Sequence, residues 1–309
     1  MKNQANRKLI SNTVFLYLMT TSIQILNLLT VPYLSRVLGP TEYGQIGLAL
    51  GYMAYVQIIL DFGFTLYATK KISENKTDKC KIEYIITAVT FIKVILAVCL
   101  GVVFLLFLYI NVFDVTLMTI LQVYLLGYLI TALLPDFYYR GMENMKSIAL
   151  RTLIVRVLFT LLIFLCVRKK EDIMFVPVCF LVGSILAFII TAADIRWKKQ
   201  ITFRWPGRKY VMSMVRSAFP YFTSRFASTF YQALNVIIIG KIYGTAPEVG
   251  YYTSSDKCLS LVKMGSSPIA DSLYPYMLNH KNYRLIKRLL GFVMPIITVG
   301  VIILGIYAE

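Results

Sequence analysis

Apolar residues run along this chain in long windows, interrupted at intervals by short clusters of Lys and Arg. A helix needs about 20 mainly apolar residues to cross a bilayer. Nine windows meet that requirement: Leu9–Leu34, Gly44–Leu66, Tyr84–Ile110, Leu117–Tyr139, Ile148–Val167, Ile173–Ile195, Ala218–Ile242, Tyr251–Met277 and Leu289–Tyr307. The pattern predicts an all-α polytopic membrane protein with about nine transmembrane helices. Composition agrees: 58% of the residues are hydrophobic, only 15% are charged, and the mean hydropathy is +0.69, more apolar than a soluble domain of this size requires.

A net charge of +17 raises nucleic acid as a partner, so the placement of the 32 Lys and Arg decides the matter. With a cytoplasmic N-terminus, most of them fall on the inner side: Lys2, Arg7 and Lys8; the five lysines from Lys70 to Lys81; Arg140, Lys146 and Arg151; seven from Arg196 to Arg216; and four from Lys281 to Arg288. Outward loops hold Arg36, Arg168, Lys169, Lys170 and Lys241, and the Arg168–Lys170 cluster, beside Glu171 and Asp172, is the one misfit. Positive charge retained inside accounts for the basic balance and makes nucleic-acid binding superfluous. The five cysteines show no metal-ligand or CxxC spacing and read as reduced packing residues. The N-terminal apolar stretch is too long for a signal peptide and carries Asn12, Gln24 and Asn27, so it reads as a retained first helix.

Sliding the chain against itself by 205 residues sets Thr20 on Arg225, Gln24 on Thr229, Asn27 on Gln232 and Thr30 on Asn235, polar on polar each time. The register continues with Arg36 on Lys241 and Gly39 on Gly244. After one inserted residue, Glu42 meets Glu248 and Gly44 meets Gly250. The first window therefore resembles the seventh and the second the eighth, as in a directly duplicated six-helix unit. The expected domains are a first six-helix bundle, residues 1–210, and the first three helices of a second, residues 211–309. Two full copies would hold twelve helices, so the sequence is expected to lack the last three.

Two windows carry polar stripes at helical spacing: Thr13, Tyr17, Thr20, Gln24 and Asn27 in the first, and Asp256, Ser260, Lys263 and Ser267 in the eighth. Such stripes face other helices or water, because an unsatisfied polar group in hydrocarbon costs several kcal/mol. Interhelical hydrogen bonding is the bland explanation. The cations within spans, Lys93, Arg156, Arg225, Lys257 and Lys263, point further, to a wet or anion-filled cavity. Lys93 and Arg156 lie roughly 12 Å from the nearer ends of their windows, within partial reach of snorkelling. Lys263 lies roughly 20 Å in, near the midplane. Together with Arg225 it is the leading candidate for an anion contact, and Asp256, Gln24, Asn27, Gln232 and Asn235 complete the candidate cavity lining.

PYLSRVLGPTEYGQIGLA (Pro32–Ala49) and LDFGFTLYATKKIS (Leu60–Ser73) resemble the Wzx-type O-antigen and capsule-repeat flippases, which belong to the multidrug, oligosaccharidyl-lipid and polysaccharide exporter superfamily. PDFYYRGMENM (Pro135–Met145), AFPYFTSRFASTFYQALNVIIIGKIYG (Ala218–Gly244) and EVGYYTSSDK (Glu248–Lys257) extend the resemblance over essentially the whole chain. The resemblance implies a two-bundle, alternating-access transporter in the bacterial cytoplasmic membrane. Its substrate is an undecaprenyl diphosphate-linked oligosaccharide moved outward, with a proton or sodium gradient as the driving force and no cofactor. Polysaccharide polymerase and chain-length machinery would be its partners, besides membrane lipids.

Two other classes fit less well. An enzyme acting on the same lipid needs a catalytic constellation in a substantial loop, yet outward loops are short and the lone histidine, His280, sits in a basic loop. An exporter of small organic cations on the same fold would favour a cavity dominated by Asp and Glu, whereas the intramembrane excess here is cationic.

Overall fold

The computed structural model describes residues 2–110, 114–243 and 247–257, with side chains described at all of these except 2–20, 24, 28, 228 and 231–233. Packing divides the chain into Met1–Gly250 and Tyr251–Glu309; every contact given below lies within the first unit. The described residues form helices and connecting turns only: α1 (Lys2–Asp61), α2 (Phe64–Glu74), α3 (Lys79–Ile110), α4 (Val115–Ala132), α5 (Asp136–Gly141), α6 (Met145–Cys166), α7 (Phe175–Ala193) and α8 (Arg208–Tyr243). Residues 247–257 are helical as well. Among the described residues, five stretches are long and apolar enough to cross a membrane: Pro40–Glu74, Lys79–Ile110, Val115–Gly141, Met145–Cys166 and Lys170–Lys198. The chain is thus an all-α polytopic membrane protein. The first seven apolar windows fall on these helices, the eighth is described only as far as residue 257, and the ninth lies outside the described residues.

Helix boundaries follow local chemistry. α1 holds the first window and most of the second and bends at Gly39, where φ is 82° and ψ 169°, directly before Pro40. Proline lacks the N–H that would continue the ladder, and glycine adopts the left-handed φ without strain. At Asp61 the helix stops, because Phe62 (φ 44°) and Gly63 (φ 73°) are both left-handed. α3 starts on a side-chain cap: Asp78 Oδ1 accepts the Lys81 backbone N–H at 3.1 Å. That hydrogen bond holds the Asp78 carboxyl below its ordinary range. α4 ends three residues before Pro135, and the short α5 follows at once.

α4 packs on α7, while α1 packs on α4, α6 and α8, and α2 on α5. Two apolar cores result. One gathers Leu38, Met53, Ile120, Leu121 and Ile163 from α1, α4 and α6. The other gathers Phe64, Ile72, Ile85, Ile86 and Phe137 from α2, α3 and α5. Along α3 the buried members of the second core end at Ile92 and those of the first begin at Phe104, with Leu96 packed against both, so the two occupy different heights of the bundle. Just beyond the bend in α1, Gly44 meets Gly250 directly. A Cβ at Gly44 would stand 2.8 Å from the Gly250 nitrogen, and one at Gly250 would overlap the Pro40 carbonyl. These two glycines are equivalent in the expected repeat.

Candidate functional site: a charged cavity between the two cores

Lys93, 5% exposed and midway along α3, lies next to Ile92, where the buried members of the second core end. Its Nζ donates to the Ala132 carbonyl at 3.0 Å and stands 5.6 Å from the Phe137 ring centroid. The acceptor is the last residue of α4, where carbonyls lack intrahelical donors and the helix dipole favours a cation. α3 begins at Lys79, five residues before the apolar window does, which sets Lys93 about 21 Å from its start. Its burial and the inward hydrogen bond, rather than a reach toward the end of the span, make Lys93 a lining residue of the cavity beside it.

The cavity, about 320 Å³, also takes Asp61, Thr65, Tyr128, Asp136, Arg140 and Arg225 into its lining. Each of the two chain breaks described above delivers a carboxylate to it. Asp61 closes α1, and its Oδ1 accepts the Thr65 backbone N–H at 3.3 Å and the Thr65 hydroxyl, capping the first turn of α2. Its Oδ2 faces Arg225 Nη1 of α8 at 3.6 Å. Asp136 opens α5 and pairs with Arg151 Nη2 at 2.7 Å, while Arg151 Nη1 donates to the Thr191 hydroxyl at 2.9 Å. Three cations, Lys93, Arg140 and Arg225, face two carboxylates across the cavity, so it carries a positive excess. An excess of this kind lining a concave space suits an anion, because the walls of a cleft focus the field of one sign of charge.

Of the sequence candidates, Lys93 and Arg225 therefore converge on one cavity. Arg156 lines a neighbouring one of about 280 Å³ between α4, α6 and α7, which shares Thr131, Leu134 and Asp136 with the first. Its guanidinium lies 5.0 Å from the Phe159 ring centroid, and its Nε has no hydrogen-bond partner among the described residues. Asn27 and Asn235 are half-buried on α1 and α8, outside either lining. The side chains of Gln24 and Gln232 are not described, and Lys263 lies outside the described residues. Asp256 is exposed on the helix 247–257, in the second unit. Sequence reasoning missed Asp61, Asp136 and Arg140, although each stood inside a quoted stretch, LDFG or PDFYYRG. Among the described residues no cluster of His, Cys, Asp and Glu could hold a metal ion.

The family model described as polysaccharide biosynthesis protein matches residues 9–280. An Escherichia coli (strain K12) protein named "Putative O-antigen transporter" is 28% identical over 278 residues, covering 85% of this chain. A Shigella dysenteriae protein of the same name is 22% identical over 280 residues, covering 90% of this chain. The chain spans 63% and 69% of the lengths of these two relatives. A solved structure described as MATE in the bent conformation superposes with a TM-score of 0.54 at 16% identity, over 97% of this chain and 72% of that one, a likeness of fold. A helical membrane architecture of this kind, with the family pattern running from the first apolar window to beyond the eighth, makes the chain a member of the polysaccharide biosynthesis protein family.

Proposed function

We propose that this protein is a flippase that moves undecaprenyl diphosphate-linked oligosaccharide repeat units from the cytoplasmic to the outer leaflet for O-antigen, capsule or exopolysaccharide assembly. The observation that carries the reading is the cation excess of the cavity shared by α3, α4, α5 and α8. A diphosphate needs such a counter-charge to leave water, and a guanidinium binds phosphate oxygens bidentately. In the proposed cycle the diphosphate takes over Arg225 from Asp61, exchanging an internal carboxylate for a substrate anion. The names of the relatives as O-antigen transporters support the transport class over an enzyme. A small organic cation would meet repulsion in the same cavity.

The Lys/Arg bias supports a cytoplasmic N-terminus, and the repeat supports bundles at residues 1–210 and 211–309. Deleting the gene in its bacterial host should abolish surface glycan and accumulate lipid-linked repeat units in the cytoplasmic membrane. Restoring the native gene should reverse both, and Arg225→Gln at equal protein level should not. Normal surface glycan in the deletion strain would sink the reading.

A further inference from the structure

Between α3 and α8 runs an apolar groove of about 770 Å³. Phe91, Ile92 and Ile95 of α3 form one wall, and Val211, Met212 and Val215 of α8 form the other. Among the described residues the lining carries one charge, Arg208, and no carboxylate. The connection from α7 to α8 closes the groove at this end, as a strap along a single face of α3. Thr202 N–H donates to Glu83 Oε1 at 3.0 Å, Arg204 N–H donates to the Thr87 hydroxyl at 3.0 Å, and Arg204 Nε pairs with Glu83 at 3.1 Å. Trp205 then meets Phe91 edge-on, ring centroids 4.7 Å apart. Glu83, Thr87, Phe91 and Ile95 are spaced by four, one helical stripe. The strap thus fixes Trp205 at the groove and engages Arg204, while the Arg208 guanidinium makes no ion pair or hydrogen bond among the described residues.

The groove is open to the side. Phe91, Ile95, Val98 and Val102 follow one face of α3 at helical spacing and are all exposed, as is Met212 on α8. In a helix apolar enough to span a membrane such a face meets hydrocarbon, so a lipid enters the groove from the bilayer without crossing water. At the other extreme, Gly207 leads into α8 with φ 88°, and a Cβ there would meet nothing within 4 Å. Room for a headgroup therefore lies beside Arg208. Together Trp205 and Arg208 give the groove the amphipathic ring and the cation of a membrane–water boundary. From Arg208 to Val215 is about 10 Å along α8, which holds a glycerol unit and the first part of its acyl chains. The rest of those chains runs on over Val98 and Val102.

We propose that this groove is a binding site for an anionic phospholipid of the surrounding bilayer, its phosphate on Arg208 and its acyl chains between α3 and α8. The assignment stands apart from the flippase reading, because groove and charged cavity share no lining residue. Charge selects within the phospholipid class. The strap and the first residues of α8 bring Lys199, Arg204, Arg208 and Lys209 close together in the chain, and the buried Glu83 answers Arg204. Each basic residue near the surface favours an anionic lipid by about fivefold. A zwitterionic headgroup brings a cation of its own to the cluster and loses that gain.

The sequence contains two tryptophans, Trp197 and Trp205, so Trp197→Phe leaves Trp205 as the sole indole reporter. The full chain with this substitution is assembled into phosphatidylcholine nanodiscs holding a series of mole fractions of phosphatidylglycerol with brominated acyl chains, which quench indole fluorescence on contact. Brominated phosphatidylcholine is the reference lipid. Trp205 should be quenched saturably, at about fivefold lower mole fraction of the brominated phosphatidylglycerol than of the reference. Arg208→Gln should remove that preference and leave quenching by the reference lipid unchanged. Ile95→Phe with Val211→Phe, which fills the groove, should abolish the saturable quenching. Met212→Phe, at a position 69% exposed, gives an independent filling should the double variant fail to fold. Equal quenching by the two lipids, a preference that survives Arg208→Gln, or native quenching in a folded filled variant would overturn the proposal. So would release of the brominated lipid by undecaprenyl diphosphate at equal mole fraction, which would give the groove to a polyisoprenoid, or by inorganic phosphate, which would make it a free-anion site.

Discussion

On the flippase reading, Lys93→Met separates two roles of one ammonium. Methionine occupies much of the same volume at this 5% exposed site, so no large void opens. The variant loses the hydrogen bond to the Ala132 carbonyl, 3.0 Å long in the native protein and of a charged type contributing about 1.5–3 kcal/mol. Against that, it no longer holds an ammonium out of water, which costs several kcal/mol in real proteins. The two nearly cancel, and stability should stay within about 2 kcal/mol of native. Transport responds differently, because the cavity drops from three cations against two carboxylates to an even balance. At about 8 Å and an effective dielectric constant of about 20, one ammonium is worth about 2 kcal/mol per unit of ligand charge. That is about thirtyfold in affinity. Export of lipid-linked glycan, normalised to membrane protein level, should therefore fall at least about tenfold, with the detergent unfolding temperature little changed and Lys93→Arg partly active. Native export by Lys93→Met at native abundance would reduce Nζ to a cap on α4 and remove the cavity from the mechanism.

Arg151→Met should destabilise the bundle by about 2–3 kcal/mol, read as a lower unfolding temperature, because it strands Asp136. The value sits below the fully buried case because Asp136 is 33% exposed; an unchanged transition would show the pair to be idle. Gly44→Ala places a methyl against backbone that has no side chain to move aside. It should cost about 1–3 kcal/mol by overpacking, visible as a reduced monodisperse yield, and native behaviour would mean the contact is loose. Lys263→Gln should preserve insertion and abundance while cutting export, with Lys263→Arg retaining part, if that residue adds a further phosphate contact. Normal export would make it a packing residue.

Hydropathy made the helices legible, since a run such as Lys79–Ile110 has no other stable arrangement in lipid than a helix. The same averaging hid the breaks. The windows Gly44–Leu66 and Leu117–Tyr139 run straight through Phe62–Gly63 and Pro135, yet those interruptions are what bring Asp61 and Asp136 to the cavity. Lys93 is legible as a cation within a span, but not the direction of its side chain, because the acceptor, the Ala132 carbonyl, lies 39 positions away on another helix. Arg225 could be named from sequence and not paired, because its partner lies 164 positions away at the end of α1, and helix-to-helix register leaves no local signal. The groove was illegible for a related reason: its residues are unremarkable apolar positions until the strap sets Trp205 against Phe91.

Gly44 and Gly250 occupy the same place in the two copies of the proposed repeat and touch backbone to backbone. A two-fold rotation carries every point to an image twice its distance from the axis, so a residue meets its own counterpart only where the axis passes. If the proposed repeat carries such a rotation, its axis would have to pass close to this pair. Whatever the relation of the two copies, the close approach denies a side chain to each glycine, so each position is confined on its own account.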